Sequence, residues 1–293
     1  MRYVQQTTLT RDVSIAGVGL HSGAMAHVRL HPAVAGQGVV LRRAGALEVA
    51  ATVNAVSNTH FNTGLGDGAA RVSTVEHLMA AIALAGIDNI IIEIDGPELP
   101  ALDGSAALWL DLLTSAGVRS LNAPREAIRI LAPMTLDDND GRSIRAEPFD
   151  GRVLDVAIEF PDAVIGAQAV SLDLDHPADV RRVAGARTFC RRDDIDRMRA
   201  KGLSLGGSFE NAVVVDGAQV LNPSGLRDSH EFALHKALDL IGDLRLAGAP
   251  IFGRIIACRP GHDLNRRFLA VLAAAGNRVA RGAEAEGPVR ASA

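Results

Sequence analysis

The segment His230-Glu231-Phe232-Ala233-Leu234-His235-Lys236-Ala237-Leu238-Asp239-Leu240-Ile241-Gly242-Asp243 constrains the fold of this chain more than any other. It reads as a helix with a polar stripe in an otherwise apolar surface. His235, Asp239 and Asp243 follow one another at i, i+4 on a single face of it. Burying an imidazole and two carboxylates is costly unless each finds a partner. If the helix is buried, the fold must bring polar partners to that stripe. A metal ion is one such partner, because i, i+4 spacing hands two ligands to one cation.

A catalytic metal site needs a third protein ligand and an open position. Val72-Ser73-Thr74-Val75-Glu76-His77-Leu78-Met79-Ala80-Ala81 offers a carboxylate and an imidazole at the start of a second apolar helix. If His77 completes the ligand set, Glu76 projects about a quarter turn away, toward a water rather than the metal, where a general base belongs. Other readings compete. Glu76 stands three residues after Ser73, as in a capping box. His77 can be a hydrogen-bonded core histidine, and His235 with Asp239 a surface hydrogen bond. HExxH is absent, which counts against a zincin protease.

The chain has 293 residues, enough for one large domain or two ordinary ones. Aromatics are 3 %, so the core is built from Val, Ile, Leu and Ala. A net charge of -4 argues against a general nucleic-acid binder. Cys190 and Cys258 have no CxxC spacing, which fits a reducing cytoplasm better than a disulfide scaffold. The N-terminus lacks the apolar core of a signal peptide, and the longest apolar stretch, from His77 to Ile94, is broken at Asp88 and Asn89, so no transmembrane helix is expected.

Strands are predicted at 7–15, 26–31, 38–41 and 89–94, with helices at 74–84 and 105–114. The polar, Pro-containing stretch Arg119–Pro124 reads as a linker. Beyond it the pattern resumes, with strands at 127–131, 143–148, 153–160, 168–172, 211–215 and 251–258. Helices follow at 193–200, 230–246 and 264–275. The fold class is therefore α+β: two similar α/β sandwich domains, each with β-sheets packed against two main helices, and the active site in the cleft between them. The domains are 1–123, carrying Glu76 and His77, and 124–276, carrying His235, Asp239 and His262. The tail 277–293 is expected to be disordered. Interdomain clefts are common places for sites.

His262 lies between a predicted strand and helix, well placed to enter that cleft. Beside a metal its role is general acid, with Asp243 orienting and charging it. Alone, it reads as a surface loop histidine. Thr188 is a candidate donor to a developing oxyanion, or simply a turn threonine. The stretch Gly202–Ser208 lacks the ending of a P-loop and reads as a bend before the strand at Asn211. His21 and His230 are second-tier candidates for the cleft.

GVGLHSG (17–23), STVEHL (73–78), LDGSA (102–106), ARTF (186–189), GLSLGGSF (202–209), HKALDLIGD (235–243) and GHDLN (261–265) occur in that order across nearly the whole chain. In these motifs it resembles the zinc-dependent UDP-3-O-acyl-N-acetylglucosamine deacetylases of lipid A biosynthesis. The resemblance implies zinc (Zn2+) held by His77, His235 and Asp239, with water as the fourth ligand. It implies that Glu76 activates that water, that Thr188 stabilises the oxyanion, and that His262, supported by Asp243, expels the amine. It implies Lys236 and Arg259 as cations for the diphosphate. It implies an acyl passage around Phe189, Ile195, Ser204, Ala212 and Val214. After Phe189, Cys190-Arg191-Arg192 stands where glycine and apolar residues are common. A UDP-linked acylated glucosamine is the expected partner, and a cytoplasmic monomer the expected state. The alternatives are a zinc amidohydrolase acting on another acylated sugar and a non-catalytic metal-binding protein.

Overall fold

Alternating burial builds the first sheet. Along the strand Met25–Pro32, Ala26, Val28 and Leu30 are buried while Met25, His27 and Arg29 face water. The computed structural model describes residues 5–276 and the backbone of 279–283. The first sheet runs in the order Val13–Val18, Met25–Pro32, Ile90–Ile94, Val39–Arg43, Val49–Ala50. A second, larger sheet fills the C-terminal half. There Ile251–Cys258 is paired on both edges, with Arg152–Glu159 in parallel and with Ser143–Glu147 antiparallel.

Six helices are described: α1 (Glu76–Leu84), α2 (Ala107–Ala116), α3 (Pro177–Ala184), α4 (Arg192–Ala200), α5 (Glu231–Leu244) and α6 (His262–Ala273). The N-terminal half thus has its sheet with α1 and α2, and the C-terminal half its sheet with α5 and α6. This is the expected α+β sandwich pattern. A small third sheet, Phe189–Arg191 with Val213–Asp216 and Gln219–Val220, carries α4.

The two halves meet along α1 and α5. On its other side α5 rests on the strands Arg152–Glu159 and Ala167–Asp173. Leu78, Met79 and Ile82 of α1 share one apolar core with Phe232, Leu234, Leu238 and Leu240 of α5. Each such side chain contributes roughly 1.5–3 kcal/mol by burial, which offsets the cost of carrying polar groups along the same seam. Gly242 sets how close the helices come. A Cβ there would lie 2.0 Å from the carbonyl oxygen of Glu76. Any larger residue would push the start of α1 away from α5.

Several expectations are corrected. The predicted strand 7–15 is broken at Thr10-Arg11-Asp12, where the chain turns: Gln5–Leu9 joins a separate ribbon and Val13–Val18 joins the sheet. The expected linker at 119–124 is a strand, Val118–Pro124, paired antiparallel with Gln5–Leu9. Its polar sequence reflects the partly exposed strand of a two-stranded ribbon, whose partner buries Thr7, Thr8 and Leu9, rather than loose chain. The strand Met134–Asp137 and helix α3 are additional to the predicted elements. Part of the tail expected to be disordered, Val279–Ala283, pairs antiparallel with Glu126–Ile130 at the sheet edge. The rest of that tail lies outside the described residues. Among the described residues no helix is long and apolar enough to cross a membrane.

Candidate active site

The α5 stripe is buried where it meets the first turn of α1. His235, Asp239 and Asp243 are 4 %, 2 % and 2 % exposed, and Glu76 and His77 are buried opposite them. His77 Nε2 lies 3.2 Å from His235 Nε2 and 3.6 Å from Asp239 Oδ1, and His235 Nε2 lies 3.4 Å from the same oxygen. A tetrahedral ion about 2.0–2.1 Å from each donor spaces its ligands about 3.3 Å apart. The three edges of this triangle therefore fit one small metal ion.

The ligand electrostatics agree. Burial holds the His235 imidazole well below its usual pKa, so it is neutral, the form that ligates metals. Burial works against the Asp239 carboxylate, but the charge of neighbouring donors, the Lys236 ammonium among them, holds its pKa well below the usual range. Lys236 Nζ donates to Asp239 Oδ2 at 2.7 Å, which leaves Oδ1 facing the two imidazoles. Nδ1 of His235 has no hydrogen-bond partner among the described residues. Its ring plane is fixed by edge-on packing against Phe189, 5.7 Å between centroids.

A second polar cluster adjoins the triangle. Glu76 Oε2 accepts the Thr63 N–H at 3.0 Å, and Oε1 lies 3.9 Å from His262 Nε2. His262 Nδ1–H donates to Asp243 Oδ2 at 2.8 Å. Asp243 also accepts from Asn265 Nδ2 at 2.8 Å and from the Thr63 hydroxyl at 2.6 Å. Burial pushes the Glu76 carboxyl up to about 7, against the pull of His262 and His77. Burial opposes a charge on His262, but Asp243 overcomes it and lifts the imidazole to about 9. Near neutral pH the site thus holds a carboxylate ready to take a proton beside an imidazolium ready to give one.

Both clusters open into a cleft of about 660 Å³, within the range of small-molecule sites. Glu76, His77, Thr188, His235, Lys236, Asp239 and His262 line it, as do Phe189, Ile195, Ser204, Ala212 and Val214. Asp243 stands behind His262. Two loops beside the cleft are tied together: the N–H groups of Leu205 and Gly206 donate to the carbonyls of His21 and Leu20. The turn holding His21 is anchored by buried Glu98, which accepts from the His21 and Ser22 N–H groups and the Thr74 hydroxyl.

Four expectations fare differently. Arg259 does not line the cleft; its guanidinium donates to the Asp140 carbonyl, because the backbone turns at positive φ there and carries the side chain toward that loop. His230 sits partly exposed at the start of α5, outside the cleft, whereas His21 lines it. The capping box does not form: α1 starts at Glu76 after Val75, and Glu76 turns its carboxylate to Thr63 instead. His262 is the first residue of α6 rather than a loop residue. Sequence reasoning gave no role to Thr63 or Asn265. Asn265 follows His262 at i+3, a helical spacing that would have flagged it; Thr63 carries no such local signal.

The sequence profile of the family described as LpxC, UDP-3-O-acyl N-acetylglycosamine deacetylase, matches residues 6–274. A UDP-3-O-acyl-N-acetylglucosamine deacetylase of Anaeromyxobacter sp. strain Fw109-5 is 45 % identical over 270 residues, 92 % of this chain and 88 % of the relative. Proteins of the same name are 43 % identical in Nitratidesulfovibrio vulgaris, over 92 % of this chain and 88 % of the relative, and in Phenylobacterium zucineum, over 92 % and 93 %. The folded halves, the donor triangle between them and these matches lead to one conclusion: this chain belongs to the UDP-3-O-acyl-N-acetylglucosamine deacetylase family, a family of metalloenzymes.

Proposed function

We propose that this chain hydrolyses the N-acetyl group of a UDP-3-O-acyl-N-acetylglucosamine, releasing acetate and the free amine, with zinc held by His77, His235 and Asp239. The observation that carries this reading is the donor triangle standing beside Glu76 and the His262–Asp243 pair. Two neutral imidazoles and one carboxylate suit zinc and leave a fourth position for catalysis. Bound there, zinc supplies a Lewis acid that lowers the pKa of water to about 7 and polarises a carbonyl.

Glu76 takes a proton from the attacking water as its oxygen bonds to the acetamide carbon. Thr188, whose backbone is held between the Gly104 carbonyl and the Val213 N–H, lines the cleft and donates to the developing oxyanion. One such donor is worth about 3 kcal/mol. His262 gives its proton to the nitrogen as the C–N bond breaks, so the amine leaves neutral, and Asp243 holds the imidazole aimed throughout. Positioned acid–base groups add about 10²–10⁴-fold.

Lys236 commits one donor to Asp239 and has others for a polar part of the substrate. The acyl chain lies along Phe160, Phe189, Ile195, Met198, Ala212 and Val214, with Ser204 at the wall. Arg191, on the same wall, is ion-paired with Asp162 at 2.9 Å, which reduces its hindrance to an apolar chain. The halves 1–123 and 124–276 act as two domains that share the site. Free Cys190 and Cys258 support a cytoplasmic setting, and the enzyme works as a monomer.

The test is to incubate purified protein with the UDP-linked acyl sugar, with and without chelator, and measure the free amine by mass spectrometry. Amine release that chelation stops and zinc restores is expected. Full turnover by metal-free protein would refute the reading.

A further inference from the structure

Thr63 touches both sides of the proton-handling pair. It is 2 % exposed. Its N–H donates to Glu76 Oε2 at 3.0 Å. Its hydroxyl donates to Asp243 Oδ1 at 2.6 Å, and the same oxygen lies 3.2 Å from His262 Nδ1. The hydroxyl has one proton, and the short contact commits it to Asp243. A lone pair is then left to face the His262 Nδ1–H, which Asp243 and Thr63 share.

The segment carrying Thr63 is itself held. Its carbonyl accepts the Val75 N–H at 3.1 Å, immediately before α1. Asn58 Nδ2 donates to the carbonyl of Asn62 at 3.1 Å and to that of His60 at 3.1 Å. Glu76 and Asp243 stand on different helices from different halves of the chain. One residue bridging them fixes their spacing by covalent geometry instead of by packing alone.

We propose that Thr63 is a positioning residue that locks Glu76 and the Asp243–His262 pair into one unit, its N–H orienting the base and its hydroxyl orienting the acid. This rests on the roles given above to Glu76 and His262. Proton transfer at both ends of one hydrolysis demands that the two groups hold a fixed separation, and small displacements at such sites are costly in rate.

Thr63→Val keeps the N–H and removes the hydroxyl; Thr63→Ser keeps both. With the zinc-loaded enzyme, Thr63→Val is expected to lower kcat by roughly 10- to 100-fold, the loss of one hydrogen bond to a charged group. KM and the metal content should not change, and Thr63→Ser should recover most of the rate. In a His262→Ala background the same valine substitution should cost about twofold or less, because the group it orients is gone. An equal loss in both backgrounds, or a serine variant as slow as the valine variant, would overturn the proposal. So would a valine variant with wild-type kcat. If the valine variant does not fold, Thr63→Ala carries the same expectations. Should His262→Ala alone leave turnover intact, it is the acid role that fails, a result distinct from additive losses.

Discussion

Helix α5 carries two buried carboxylate clusters, and they are partnered very differently. At its first turn Glu231 accepts four donors: Arg187 Nε at 2.7 Å, Arg187 Nη2 at 3.0 Å, and the N–H groups of Arg187 at 3.1 Å and Arg227 at 2.7 Å. Both of its oxygens are satisfied. Two turns later Asp239 has one oxygen on Lys236 and the other facing two imidazoles beyond 3.3 Å. Glu76, across the seam, has Thr63 on one oxygen, while the other lies 3.9 Å from His262. The first cluster is finished within the protein. The second leaves oxygens and ring nitrogens converging on a cleft, an arrangement suited to ligands and reacting atoms.

If that contrast is right, damage to the two clusters separates into function and stability. His77→Ala removes a corner of the triangle, so bound metal and turnover should both be lost, as read by metal analysis and amine release. A variant that keeps stoichiometric metal would break the assignment. Glu76→Gln should retain metal yet lose about 10²–10⁴-fold in kcat. Its effect on stability should run the opposite way. The folded pKa of about 7 stands above the ordinary value of 4.5, so the folded protein holds its proton more tightly than the unfolded chain does. The stability this gives is full below about 4.5 and is lost as pH rises through about 7. Chelated Glu76→Gln should therefore resist urea better than chelated wild type at pH 8; equal midpoints would show that burial of Glu76 carries no such penalty.

Glu231→Ala sharpens the comparison from the other side. It strands a buried guanidinium, and loss of about 3–5 kcal/mol of stability is expected, read from urea unfolding. The fraction that stays folded should still bind metal. The smallest effect is the pH profile of wild-type turnover. Rate should rise as Glu76 ionises and fall as His262, at about 9, loses its proton. A bound cation favours the carboxylate, so the acid limb should lie below the value of about 7 that Glu76 has without it. A rate unchanged from pH 5 to 10 would sink the pairing of base and acid.

The comparison also explains which parts of the site could be read without coordinates. His235, Asp239 and Asp243 are legible because a helix converts sequence spacing directly into a shared face. Lys236 and Phe189 are reached through motif resemblance, and both line the cleft. Arg259 sits in an equally recognisable stretch, yet its backbone is at positive φ and its guanidinium donates to the Asp140 carbonyl, a partner more than a hundred residues away. The strand Val118–Pro124 reads as linker for a similar reason: its pairing partner, Gln5–Leu9, is more than a hundred residues away.

By itself the sequence determined where the main helices lie, that one of them carries His235, Asp239 and Asp243 on a single face, and which family the ordered motifs resemble. These follow from period and local order, which a chain expresses wherever it folds. Only the tertiary structure decided that α1 reaches α5, through the space Gly242 leaves, and that Thr63 bridges Glu76 and Asp243. Such contacts join residues far apart in the chain, and no periodicity encodes which distant group will fill a given gap.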